Sequence, residues 1–211
     1  MLRIGVLVSG GGTNLQAVID SIESGYINDA GIVTVVSSMQ DAHALQRAER
    51  HGIPGKYISK NQFNNHKEYD DALTEHMQQF KVDLVLLCGF VSILGENFIS
   101  QYKGRIINIH PSLIPSFCGK GYYGLKVHVE ALKYGVKITG ATVHFVELEP
   151  DAGPIILQKA VEIKDDDTPE TLQKRVMEQA EWVILPEAVK LFAEGRLRIE
   201  GRWVLIKGNS I

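Results

Sequence analysis

Cysteine is scarce in this chain: among 211 residues only Cys88 and Cys118 carry a thiol. Two isolated thiols offer neither the paired spacing of a metal site nor a disulfide framework, and they suit a reducing compartment. Cys88 stands inside an apolar run and reads as a small core residue. Cys118 stands in a glycine-rich loop and reads as a bystander thiol. Long apolar stretches are lacking as well. Residues 4–8 form a run too short for a signal-peptide core, glycines follow it, and nothing approaches the length of a membrane span. Charge of one sign is not in excess either. A net charge of −3 leaves no electrostatic footprint for nucleic acid or an anionic membrane. No repeat, low-complexity segment or linker is present. These absences predict a cytoplasmic protein with a single domain over residues 1–211 that binds neither nucleic acid nor membrane. The length suffices for a real core, and 45% hydrophobic with 22% charged residues is ordinary for a globular protein.

What is present is an alternation of strand-like and helix-like stretches. Residues 2–8 are β-rich and apolar, glycines follow, and residues 14–23 carry a helical stripe through Leu15, Val18, Ile19 and Ile22. A second strand (33–36) and helix (41–50), a short third strand (56–58) and a helix over 66–80 come next. Residues 82–88 are aliphatic on both faces, as a central parallel strand requires. A short helix (96–102) and a strand (105–109) follow, then a structureless loop over 111–123, a length more often functional than not. A helix over 125–134 and strands over 139–146 and 155–163 come after it. Thr168 as N-cap and Pro169 at the first helical position start a helix predicted to reach Ala193, with a bend at Pro186. The run Asp165-Asp166-Asp167 reads as a solvated cap for that helix rather than a metal site. Residues 197–199 and 203–206 make a terminal hairpin around Gly201. The pattern predicts an α/β fold: a doubly wound, mostly parallel sheet with some antiparallel strands toward the C-terminus.

Three stretches fall at predicted strand C-terminal ends, where such sheets bind ligands. The turn Ser9-Gly10-Gly11-Gly12-Thr13-Asn14 lies between strand and helix, a geometry that offers backbone N–H groups to a phosphate. It does not give the spacing of a dinucleotide fingerprint, and the second strand ends in Ser37-Ser38 where an acidic ribose ligand would be expected. Gly89-Phe90-Val91-Ser92-Ile93-Leu94 is the second stretch. The third is Asn108-Ile109-His110-Pro111-Ser112-Leu113. Residues i and i+2 of a strand share a face, so the Asn108 amide and the His110 imidazole project together. An amide donor beside an imidazole is equipment for acyl transfer: one holds an oxyanion, the other moves a proton. Read alone, Asp151 in Asp151-Ala152-Gly153-Pro154 is an ordinary turn aspartate.

These four stretches, in this order, resemble the phosphoribosylglycinamide formyltransferase family, and the resemblance spans residues 3 to about 198. It implies a Rossmann-like formyltransferase fold and transfer of the formyl group of 10-formyltetrahydrofolate, a co-substrate, to glycinamide ribonucleotide in purine synthesis, with no metal. By resemblance, Asn108, His110 and Asp151 are catalytic, Asp151 raising the histidine pKa and ordering a water. Gly12, Thr13 and Asn14 would hold the ribonucleotide phosphate, and Glu181 would reach the glycinamide. Leu87, Val91, Ser92, Ile93 and Leu94, with Asn108, would bind the folate, and His66 or Lys67 stands where a basic folate contact falls. Some members carry a basic residue where Ser92 stands, and a proline is more usual at Cys118. His144 matches a further family histidine, structural or ligand-facing. His43, His51, His76 and His128 have no partner pattern and read as surface residues. Two related enzymes compete. Formyltetrahydrofolate deformylase usually has an extra N-terminal regulatory domain, and methionyl-tRNA formyltransferase adds a C-terminal domain and basic surface; neither addition is evident here. A non-enzymatic nucleotide-binding module would need the glycine turn but not Asn108, His110 and Asp151. Nothing in the residues sets the oligomeric state.

Overall fold

Aliphatic residues on both faces of a strand can be buried only if the sheet is covered on both sides, and that is how the chain folds. The computed structural model describes residues 1–208. β1 (Leu2–Val8) shows the logic: Ile4, Val6 and Val8 enter one apolar layer and Leu7 the other. β4 (Leu84–Leu87) alternates likewise, Leu84 and Leu86 on one side and Val85 and Leu87 on the other. Each such side chain contributes roughly 1.5–3 kcal/mol by leaving water.

The first layer is built on α1 (Thr13–Glu23), whose Leu15, Val18 and Ile19 are buried, and on α2 (His43–Arg50), which packs through Ala44 and Ala48. The second is built on α3 (His66–Gln79) and α4 (Glu96–Gln101), through Tyr69, Leu73, Met77, Phe98 and Ile99. β2 (Ala30–Ser37) and β3 (Gly55–Tyr57) extend the sheet on one side of β1, and β4 with β5 (Ile106–His110) extends it on the other, all parallel. β6 (Ile138–Phe145) pairs antiparallel with β5, and β7 (Ile155–Glu162) antiparallel with β6. A hairpin of β8 (Leu197–Glu200) and β9 (Trp203–Ile206) closes the order β3-β2-β1-β4-β5-β6-β7-β9-β8. The predicted doubly wound, mostly parallel sheet with antiparallel C-terminal strands is therefore observed.

Two expectations change. The bend predicted at Pro186 is not where the long C-terminal helix is interrupted. α6 (Pro169–Val176) passes into a π-helical turn over Met177–Glu181, and only then does α7 (Trp182–Ala193) begin, with Pro186 buried inside it. A wide turn of this kind accommodates an extra residue without breaking the rod. The aspartate run is also not wholly solvated. Asp165 and Asp166 are exposed, but Asp167 accepts two hydrogen bonds from Arg175, at 2.6 and 2.5 Å, and one from the Lys164 N–H. The Arg175 bonds hold its carboxyl well below the usual carboxylate range.

Candidate active site

The strand order reverses between β1 and β4, and the loops leaving the C-terminal ends of these strands diverge there into a cleft of about 580 Å³. α5 (Leu125–Tyr134) and the loop before it form another wall. Gly12, the N-cap of α1, has φ 70, and a Cβ built on it would lie 2.7 Å from the Ala44 Cβ, so only glycine fits between the turn and α2. Gly10 and Gly11 have open space where a Cβ would stand. Thr13 and Asn14 follow on the first turn of α1, and both line the cleft.

Asn14 connects this end of the cleft to the other end of the chain. Its Nδ2 donates to Glu181 Oε2 at 2.6 Å, and Glu181 is buried at the close of the wide helical turn. Burial pushes the Glu181 carboxyl up to about 7, against the stabilising bond from Asn14. This carboxyl therefore takes up a proton far more readily than an ordinary glutamate.

The middle of the cleft is the face of β5. Asn108 and His110 both line it, as their i, i+2 spacing predicts. Across the antiparallel pairing Asn108 faces His144, and the Asn108 amide lies 3.0 Å from His144 Nε2. His144 Nδ1 donates to the Phe145 carbonyl at 2.8 Å, which fixes the ring with Nε2 against the Asn108 amide. His144 therefore orients the amide. The second Asn108 N–H lies 3.4 Å from Asp151 Oδ1, a weak contact that leaves it free for a ligand oxygen.

Asp151 reaches the same point from the connection between β6 and β7. Its backbone is left-handed, φ 55, an uncommon conformation for an aspartate. Gly153 explains how the connection is anchored: a Cβ there would sit 1.8 Å from the Phe145 carbonyl oxygen, so the backbones cross where no side chain fits. Asp151 Oδ2 accepts the Gly119 N–H at 2.8 Å and lies 3.5 Å from His110 Nδ1, while Oδ1 lies 3.6 Å from His144 Nε2. Burial alone would raise the Asp151 pKa; the neighbouring His144, His110 and Gly119 groups overcome it, and the carboxyl sits below its ordinary value. His110 Nε2 donates to the Phe117 carbonyl at 2.9 Å. Burial lowers the His110 pKa below the ordinary imidazole value, with His144 in the same direction, and together they outweigh the opposing pull of Asp151 and Phe117. The carboxylate does push upward as expected, but the ring is not held protonated at rest.

The other end of the cleft is apolar. Leu87 and Leu94 are buried there, while Val91 and Ile93 are more than half exposed, and Ser92 stands between them. His66 is not among the lining residues. It sits on the first turn of α3 with its side chain 37% exposed and Nε2 3.7 Å from Asp70, behind the Leu94–Gly95 stretch. Lys67 is engaged with Asp71 at 2.5 Å.

Two histidines read as surface residues are buried. His76 packs on Phe80 with Nε2 2.8 Å from the Thr34 hydroxyl, and His128 is fully covered on α5 and lines the cleft. Neither His128 ring nitrogen has a hydrogen-bond partner among the described residues, and burial drives its pKa down to about 4. Its spacing with Val127 and Ala131 on the inner face of α5 is the signal that could have found it. Cys118, half-buried, has its thiol pKa raised by burial and by Asp151, which makes it less reactive at neutral pH.

The sequence profile of the formyl transferase family matches residues 2–189. The chain belongs to that family. Within it, a phosphoribosylglycinamide formyltransferase of Haemophilus influenzae is 41% identical over 211 residues, covering all of this chain and 96% of that protein. The trifunctional purine biosynthetic protein adenosine-3 of Gallus gallus is 43% identical over 198 residues; the match takes in 94% of this chain but spans only about a fifth of that longer protein. Among solved structures of formyl transferases, glycinamide ribonucleotide transformylase 1 from Symbiobacterium toebii superposes with a TM-score of 0.92 at 45% identity, over 98% of this chain and 94% of that one.

Proposed function

We propose that this formyl transferase passes the formyl group of 10-formyltetrahydrofolate to the amine of glycinamide ribonucleotide, a step of de novo purine biosynthesis. The observation that carries the reading is the meeting of Asn108, His110 and Asp151 between a glycine turn and an apolar segment, in a chain that matches a phosphoribosylglycinamide formyltransferase along its length. Gly12, Thr13 and Asn14 offer the start of α1 to the 5′-phosphate. Glu181, bonded to Asn14, faces the glycinamide. Leu87, Val91, Ser92, Ile93 and Leu94 hold the flat ring of the folate, and His66, outside the lining, reaches only what projects past the rim. The folate is a co-substrate, and the residues call for no metal.

In the reaction the amine nitrogen bonds to the formyl carbon, and the carbonyl oxygen takes the electron pair. The free Asn108 N–H donates to that oxyanion. His110, neutral at rest, accepts the proton that the amine sheds and passes it to the folate nitrogen as the old C–N bond breaks. Asp151 favours the imidazolium while it carries the proton. One proton leaves the amine and one arrives on the folate, so no further acid is required.

The test is to mix the protein with 10-formyltetrahydrofolate, with and without glycinamide ribonucleotide, and follow deformylated folate by absorbance. Turnover should require the ribonucleotide. Equal turnover without it would make the chain a deformylase, with water as acceptor; ribonucleotide binding without turnover would leave a binding module.

A further inference from the structure

The two ends of the cleft are tied together through Ser9. β1 and β4 are neighbours in the sheet, and the loop after β1 begins with Ser9. The Ser9 N–H donates to the Gly89 carbonyl at 3.1 Å, and Ser9 Oγ accepts the Val91 N–H at 3.0 Å. The same Oγ lies 2.6 Å from the hydroxyl of Ser38, a buried residue whose own N–H donates to the Val8 carbonyl. A hydroxyl has one proton and two lone pairs, so these contacts fix the Ser9 rotamer: it cannot turn without losing both side-chain bonds. Gly10, the first residue of the glycine turn, follows Ser9 directly. Val91 is the first exposed large hydrophobic residue of the apolar segment. The far end of that segment is pinned separately, by the Gly95 N–H on buried Asp70 at 3.0 Å. With its far end anchored, the segment takes up any shift of Ser9 at Val91.

We propose that Ser9 is a positioning residue that couples the two substrate ends of the cleft. A phosphate seated on the glycine turn holds the backbone at Ser9, the locked Ser9 hydroxyl carries that position to Val91, and the apolar segment is set for the folate ring. Linkage requires that folate strengthen ribonucleotide binding by the same factor. The inference rests on the substrate reading given above, and its test separates the two.

Tetrahydrofolate, which carries no formyl group to transfer, is titrated calorimetrically into the protein with and without glycinamide ribonucleotide. A single hydrogen bond sets the scale, so the unaltered protein should bind tetrahydrofolate about two- to tenfold tighter when the ribonucleotide is present. Ser9→Ala should bring that ratio close to one while each ligand alone still binds, a change that mere loss of stability would not produce. Ser38→Ala leaves the Val91 bond but frees the Ser9 rotor, and should give an intermediate ratio; thermal unfolding verifies that both variants are folded. A ratio unchanged in both variants, or a ratio of one in the unaltered protein, would overturn the coupling. Failure of the unaltered protein to bind either ligand would overturn the substrate reading, and the coupling with it.

Discussion

His110 has an acceptor at each ring nitrogen, the Phe117 carbonyl on one side and the Asp151 carboxylate on the other. Only the doubly protonated ring satisfies both, yet burial favours the neutral ring and prevails. Such a group releases a proton readily and is stabilised while it holds one. kcat/KM should therefore fall on the acid side through a limb lying below the ordinary histidine value of about 6.5. Asp151→Asn removes an upward pull, so the limb should move to lower pH and kcat should drop about a hundred- to ten-thousand-fold. NMR titration of His110 with pH–rate profiles checks both, and an unmoved limb with near-normal kcat would return Asp151 to a turn residue. Glu181 gives a stability prediction. Burial raises its pKa from an ordinary 4.5 to about 7, so its stabilisation is full below pH 4.5 and is lost as pH rises through 7. Glu181→Gln should remove that slope, on the order of 3 kcal/mol at most, in denaturant melts across this window. Legibility at this scale was uneven. The Asn108–His110 pair follows from strand periodicity alone, whereas Asp151 needed the family resemblance, because a left-handed aspartate and a backbone crossing at Gly153 leave no periodic mark. His128 reads as a surface residue when taken alone, and only its spacing with Val127 and Ala131 marks it as inward.

Among the elements, the glycine turn separates two jobs within three residues. Gly12 is required by its left-handed φ and by contact with α2, so Gly12→Ala should cost on the order of 1–3 kcal/mol and loosen the fold as well as the site. A substitution there is a poor probe of phosphate binding alone. Gly11→Ala meets open space and should leave the melting temperature nearly unchanged while raising the KM for the ribonucleotide and not for the folate. Calorimetry showing folate affinity lost instead would mean the two ends of the cleft are reversed. The helices and parallel strands were legible because their apolar residues recur with fixed periods. The wide turn over Met177–Glu181 was not, since the apolar spacing on either side is helical and Pro186 offered a more obvious breaker.

For the whole molecule, the nine-stranded sheet predicts a gradient of stability. β1, β4 and β5 are covered by layers on both faces, whereas β8 and β9 are largely exposed and β9 meets β7 through one residue pair, Ile155 with Trp203. Native-state hydrogen exchange should find the β1, β4 and β5 amides slowest and those of β8 and β9 fastest; comparable protection in both sets would contradict it. The parallel half was legible because each crossover helix announces itself, while the order β7-β9-β8 depends on a contact too slight to mark the sequence. The bond between Asn14 and Glu181 joins positions 167 apart in the chain. Seen from the ribosome, the glycine turn and the apolar segment emerge early and their strands can pair at once, but the carboxyl that completes the site emerges only with residue 181. A half-made chain would thus lack the buried partner of Asn14, so the glycine-turn end of the cleft is finished only when the last long helix docks.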